Sequence, residues 1–180
     1  MKPHGINTSH PDLLDAQHLA YEPLGLLLST LKPSAESREY AACEFELNCQ
    51  RITFRVAKIT PTKIGQFATL WKRIGKGPIM PYDMADPIDF FIISVRNTTS
   101  LGQFIFPMNV LHKHGFISKD GIGGKRAMRL YAPWDITDNH QAKKTQSWQL
   151  KYFLEITPKF AIATARTLLG IWRNEGNLDK

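Results

Sequence analysis

Hydrophobic and polar positions alternate most cleanly between Cys43 and Val56. Glu44 and Glu46 separate Cys43, Phe45 and Leu47, while Thr53 and Arg55 separate Ile52, Phe54 and Val56. Successive side chains on a strand point to opposite faces, so both runs read as strands with one apolar face. Asn48-Cys49-Gln50-Arg51 between them reads as a tight turn. With Cys49 and Gln50 as a two-residue loop, Leu47 faces Ile52, Phe45 faces Phe54 and Cys43 faces Val56. Glu44 then stands opposite Arg55, and Glu46 opposite Thr53. A slip of one residue would mix the two faces.

After Ile59 the period changes. Ile64, Phe67, Ala68 and Trp71 fall at i, i+3, i+4 and i+7, the spacing of one face of a helix. Thr60 suits the N-cap and Pro61 the first turn, so the pattern predicts a helix from Pro61 to about Arg73, stopped by Gly75. Pro11 to Ala20 and Leu24 to Leu31 also read as helical. Gly75 to Pro87 is a glycine- and proline-rich loop. Ile88 to Val95 is apolar without alternation, as in a strand buried on both faces. Leu101 to Phe106 pairs with it, Pro107 to His114 is a short helix ended by Gly115, and Asp120 to Lys125 is a glycine loop. Ala127 to Ala132 is a strand. Gln141 to Ile156 and Pro158 to Arg173 read as closing helices. The expectation is an α+β fold: a central mixed sheet with an N-terminal β-hairpin, flanked by helices. Residues 1–10 form a tail and 11–180 a single domain.

Charge narrows the partner. The 180 residues carry 23 Lys and Arg against 16 Asp and Glu, a net charge of +7, which favours an acidic partner, nucleic acid first. Cys43 points to the core and Cys49 sits in the turn, so no disulfide is expected, and the setting is cytoplasmic. Nothing resembles a signal peptide, and Leu24 to Leu31 is too short to span a bilayer, so no membrane is expected.

A helix start after a strand offers unpaired N–H groups and a positive dipole, which suits a phosphate. Lys58 and Lys63 flank that start at Thr60, and Gln66 and Arg73 lie on the polar stripe of the expected helix. The loop Gly121-Ile122-Gly123-Gly124-Lys125-Arg126 fails both as a phosphate loop of the GxxxxGK[ST] type and as GxGxxG, because Arg126 stands in the decisive position. It remains a basic loop that, with Arg129, could grip a phosphate backbone. The candidate phosphate contacts are thus Arg55, Lys58, Thr60, Lys63, Gln66, Arg73, Lys125, Arg126 and Arg129. Asp83, Asp86 and Asp89 are potential oxygen ligands whose spacing fits no EF-hand. His112 and His114 make a weak metal pair. Trp134, Trp148 and Tyr152 could stack on bases, although core packing suits them better. Lys159, Arg166 and Arg173 would share one helix face.

The string FRVAKITPTKIGQFATLWKR, Phe54 to Arg73, resembles the MepB-like family. So do Asp89 to Ile93, Gly102 to Pro107, Gly124-Lys125-Arg126, Tyr131-Ala132-Pro133-Trp134-Asp135 and Thr145 to Phe153. The resemblance covers nearly all of the chain beyond Tyr21, and it supplies no set of catalytic residues. The order helix, hairpin, helix, strand is also similar to the core of restriction-endonuclease-like nucleases. There an acid on one strand and a (D/E)-x-K on the next hold Mg²⁺ and assist a water. Glu46 would stand for the acid and Lys58 for the lysine, with Mg²⁺ as the cofactor of a retained nuclease. Val56 occupies the position where that motif needs Asp or Glu, which weighs against catalysis. The sequence therefore points to a nucleic-acid-binding protein, DNA first, with a nuclease-like fold. The alternative is a binder of, or enzyme acting on, a nucleotide or phosphorylated small molecule.

Overall fold

The computed structural model describes residues 10–158. The expected helix over 158–173 and its Lys159, Arg166 and Arg173 fall almost wholly outside that range, as does most of the N-terminal tail.

The hairpin forms, with its two-residue turn moved one residue toward the N-terminus. Strand β2 (Cys43–Leu47) pairs antiparallel with β3 (Gln50–Val56), and Leu47 faces Gln50, Phe45 faces Ile52 and Cys43 faces Phe54. The loop is Asn48-Cys49, with φ of 47° and 67°; two successive positive φ values match strand twist in a two-residue hairpin, and asparagine tolerates them well. Moving the loop by one residue shifts the pairing by two, so both faces survive while the cross-strand partners change. Glu44 now opposes Thr53 and Glu46 opposes Arg51.

Strand β1 (Leu28–Pro33) replaces the short helix expected at Leu24 to Leu31 and pairs with β2. Gly25, at φ +73°, ends the preceding helical turns and turns the chain outward. The expected helix from Pro61 to Arg73 is likewise absent. In its place stand β4 (Lys58–Thr60), β5 (Lys63–Thr69) and β6 (Trp71–Arg73), with β7 (Ile79–Pro81) pairing with β6 inside the predicted loop. Pro61-Thr62 forms the turn, and Ile59, Thr60, Thr62, Ile64 and Thr69 supply the β-branched residues that favour strands. Sheet pairing on both edges of β5 satisfies its backbone. Gln66, Ala68 and Leu70 point to the core at period two, Gly65 and Thr69 are buried on the other side under Tyr131 and Ser37, and Ile64 is 40% exposed. The helical spacing of Ile64, Phe67, Ala68 and Trp71 was coincidental.

Strands β8 (Phe90–Arg96) and β9 (Leu101–Pro107) form the apolar centre, followed by α2 (Met108–Lys113), β10 (Ala127–Leu130), α3 (His140–Gln149) and β11 (Phe153–Glu155). At the N-terminus α1 (Pro11–Ala16) runs into further helical turns to Leu24. The helix expected to reach Ile156 stops at Gln149, because the buried Gln149 amide donates to the Arg129 carbonyl at 2.8 Å and accepts from the Tyr131 N–H at 2.9 Å. Beyond it Phe153 pairs with Phe104.

The large sheet has the order β1-β2-β3-β8-β9-β11, with β3 and β8 parallel and its other pairs antiparallel; a second sheet runs β10-β5-β4. One face of the large sheet packs Phe45, Ile52, Phe54 and Ile92 against Leu13, Ala16 and Tyr21 of the N-terminal helical segment. The other packs Phe91, Ile93, Phe104 and Phe106 against Ala68, Leu70, Met128 and Leu130 of the small sheet. The architecture is α+β: a mixed sheet with an N-terminal hairpin and a few helices. The small sheet spends its inner face on that core, and Ser37, Tyr40 and Tyr131 cover part of its outer face.

Candidate functional site

The outer face of the small sheet is built by register. Lys58 pairs with Phe67, and Phe67 with Arg129, so the three side chains form one row across β4, β5 and β10. Neighbouring strands lie about 5 Å apart, which places the two cations on either side of a half-buried phenyl ring. The row is held from several directions. Lys58 Nζ stands 4.6 Å from the Tyr40 ring centroid, Tyr40 lies 6.3 Å from Phe67, and the Arg129 guanidinium carbon is 6.0 Å from the Phe67 centroid. Arg129 Nη1 donates to Thr60 Oγ1 at 2.9 Å and to the Gly65 carbonyl at 3.2 Å, and so reaches over the bulge between β4 and β5. Gly65 is required there. It has φ +80°, and a Cβ would lie 2.5 Å from the Leu130 carbonyl and 2.8 Å from the Tyr131 ring. Tyr131 therefore rests on Gly65, beside Lys63. Among the described residues, no carboxylate lies within ion-pair distance of Lys58, Lys63 or Arg129.

Of the expected phosphate contacts, this face gathers Lys58, Thr60, Lys63 and Arg129. It does so without a helix start, since residues 61–73 are strands and offer no row of free helical N–H groups. Gln66 is not available: it points inward, donates to the Arg96 carbonyl at 3.0 Å and accepts from the Arg96 N–H at 3.3 Å, and so clasps β5 to the end of β8. Arg55 is 1% exposed and donates to the Phe54 carbonyl at 2.8 Å and Tyr82 Oη at 3.0 Å. Arg73 pairs with Glu36 at 3.2 Å. Lys125 lies over the Phe116 ring at 4.7 Å, and Arg126 precedes β10 with its carbonyl bonded to the Leu70 N–H; neither joins the row.

A second concavity lies on the polar side of the hairpin. It encloses about 410 Å³ between β1–β3 and β6–β7, lined by Lys32, Glu44, Glu46, Thr53, Trp71 and Tyr82 among others. Most of its charges are paired: Arg73 with Glu36, Lys72 with Asp86, and Arg51 with Asp89 through bonds of 2.9 and 3.0 Å. Beneath it Arg55 is buried with its Nε unbonded, and Thr53 Oγ1 also has no partner. Burial pushes the Tyr82 phenol up, partly offset by Arg55. Burial likewise pushes the Cys43 thiol up to about 12, so that free cysteine is an inert core residue.

The remaining expectations separate. Glu46 pairs with Arg51 at the turn end of the hairpin, while Lys58 follows its other end, roughly 20 Å of strand away. The candidate catalytic pair is therefore not one site. Among the described residues no group of three or more His, Cys, Asp or Glu is placed to hold a metal ion. Asp83 instead anchors the loop before β10, accepting from Ser118 Oγ at 2.7 Å and the Gly121 N–H at 3.0 Å, and these bonds hold its carboxyl down to about 2. Trp134, Trp148 and Tyr152 pack on the apolar core, and His114 stacks on Trp148 at 3.8 Å while His112 Nδ1 bonds the Ile117 carbonyl.

Sequence reasoning missed Tyr40, Phe67 and Tyr131. The signal was present in the alternation of Gln66, Ala68 and Leu70 against Gly65, Phe67 and Thr69, and the coincident helical period hid it.

No curated protein sequence matches the chain. The crystal structure of MepB superposes with a TM-score of 0.71 at 29% identity, covering 83% of this chain and 99% of that one. A bacterial homing endonuclease aligns at a TM-score of 0.42 and 16% identity, over 81% of this chain and 93% of its own, and at that score it carries no argument about the site. The MepB-like family model matches residues 34–155, which include the hairpin, the three-stranded sheet and every residue of the Lys58–Phe67–Arg129 row, and the chain belongs to the MepB-like family.

Proposed function

We propose that this protein binds nucleic acid, DNA first, through the outer face of β4, β5 and β10, and that it works in the cytoplasm. The observation that carries the reading is the row Lys58–Phe67–Arg129, in which two cations with no carboxylate in ion-pair range among the described residues flank a half-buried aromatic ring on the outer sheet face. Lys63 and Thr60 extend that face along the bulge. Cations so placed neutralise phosphates and release their counterions, so affinity falls with salt. The net charge of +7 draws a polyanion to the surface. The test is binding of labelled DNA across a salt series by the protein and by a Lys58→Ala/Lys63→Ala variant. Steep salt dependence, reduced in the variant, supports the reading; an affinity insensitive to salt removes it. Cleavage is not part of the proposal, because Glu46 and Lys58 stand at opposite ends of the hairpin.

One observation favours a second reading, a nucleotide or phosphorylated small molecule in the hairpin concavity. Arg55 is a buried guanidinium with no carboxylate in ion-pair range among the described residues, directly behind Tyr82 of the lining. A buried cation without a counter-charge is costly, and an anion in the concavity would lower that cost. Arg55→Met would abolish such binding and leave DNA binding at the small sheet unchanged.

A further inference from the structure

We propose that the face takes single-stranded nucleic acid in preference to duplex, with unstacked bases lying on Phe67 and Tyr131 and the backbone held by Lys58, Lys63 and Arg129. The inference rests on the nucleic-acid reading above and adds the form of the ligand. Three features carry it. The row alternates cation, ring and cation across about 10 Å, two strand spacings, so a phosphate reaching either cation brings its base over the ring between them. Tyr131 has its inner side seated on Gly65, where a Cβ would stand 2.8 Å from the ring, so the ring is supported from behind. Phe67 is likewise held in place by Tyr40 and Arg129. Both rings are thus fixed before ligand arrives.

A duplex cannot use such a surface. Its base faces are covered by neighbouring pairs and only edges show in the grooves, so an aromatic ring on a sheet gains contact only where bases are splayed out. The face also offers no helix to a major groove: the segment read from the sequence as a helix is strand β5, with a bulge at Gly65.

The experiment compares one mixed-sequence labelled strand of about 15 nucleotides with the same strand annealed to its complement, at low and moderate salt. The expected result is a single-strand affinity roughly tenfold or more above that of the duplex. Phe67→Leu, which keeps an apolar strand residue but no ring, should lose about 5- to 100-fold of the single-strand affinity while its salt slope stays the same. Phe67→Tyr should keep the affinity, and Tyr131→Leu gives an independent route should Phe67→Leu melt early. Equal affinity for strand and duplex, with both leucine variants neutral, overturns this inference and leaves the nucleic-acid reading standing. No binding of either form at low salt overturns both.

Discussion

On the six-stranded sheet, the charges around the hairpin concavity hold one another: Arg73 with Glu36, Lys72 with Asp86, Arg51 with Asp89. On the three-stranded sheet, Lys58 and Arg129 meet aromatic rings and carbonyls instead. A phosphate arriving at the first must displace carboxylates already in place. At the second it meets cations with no carboxylate in ion-pair range among the described residues. Only the centre of the large sheet is buried on both faces, and most charges around its hairpin concavity are matched in pairs; the small sheet covers the core with one face, and the cations on its other face have no carboxylate in ion-pair range among the described residues. Net charge alone does not separate the two, because both surfaces are rich in Lys and Arg.

Breaking the first region should cost stability and spare binding. Phe106→Ala removes a fully buried ring that touches Phe104, Trp148 and Tyr152, and we expect a loss of about 3–5 kcal/mol in urea unfolding. At temperatures where the variant is folded, its DNA affinity should match that of the parent. Gly65→Ala falls within the second region, between β5 and β10. With φ +80° and a Cβ only 2.5 Å from a carbonyl, it should cost about 1–3 kcal/mol and weaken binding as well, because Tyr131 and Arg129 both lean on that bulge.

The buried cation of the first region can be tested by a double-mutant cycle. Tyr82→Phe removes the acceptor of Arg55 Nη2, leaving only the Phe54 carbonyl on Nη1, and should cost about 1–2 kcal/mol in the parent; in an Arg55→Met background the cost should nearly vanish. Equal cost in both backgrounds would mean that the hydrogen bond contributes nothing. Lys58→Ala should stay within about 0.5 kcal/mol of the parent in stability, while the slope of log affinity against log salt falls by about 1. Neutral stability with an unchanged slope would erase the contrast between the sheets. The smallest effect concerns acid. The Ser118 hydroxyl, with the Ala85 and Gly121 N–H groups, holds Asp83 down to about 2 from its usual 3.8. A depressed carboxyl stabilises the fold above its unfolded value and loses that contribution as pH falls through the folded one. Asp83→Asn should therefore flatten the stability profile between about pH 4 and pH 2 and change little near neutrality.

What the sequence determined is what short-range patterning can determine. The alternation of Cys43 to Val56 defined a hairpin and both its faces, since period two leaves no other side for the apolar set. The apolar run within Ile88 to Val95, without alternation from Phe90 to Ile93, marked the central strand, because a strand covered on both faces has no polar side. Asn48 at the turn and Gly115 after α2 marked the ends of elements through their tolerance of positive φ. The partner of each hairpin residue was beyond it, since a shift by two preserves every face. The segment from Thr60 to Arg73 carried two periods at once, 3.6 in Ile64, Phe67, Ala68 and Trp71, and two in Gln66, Ala68 and Leu70. Only the neighbours β4 and β10, supplying hydrogen bonds along both edges of β5, decided between them. That choice also set the candidate site. It turned Gln66 inward to Arg96 and Phe67 outward between Lys58 and Arg129, residues 71 apart in the chain that only sheet pairing can bring into one row.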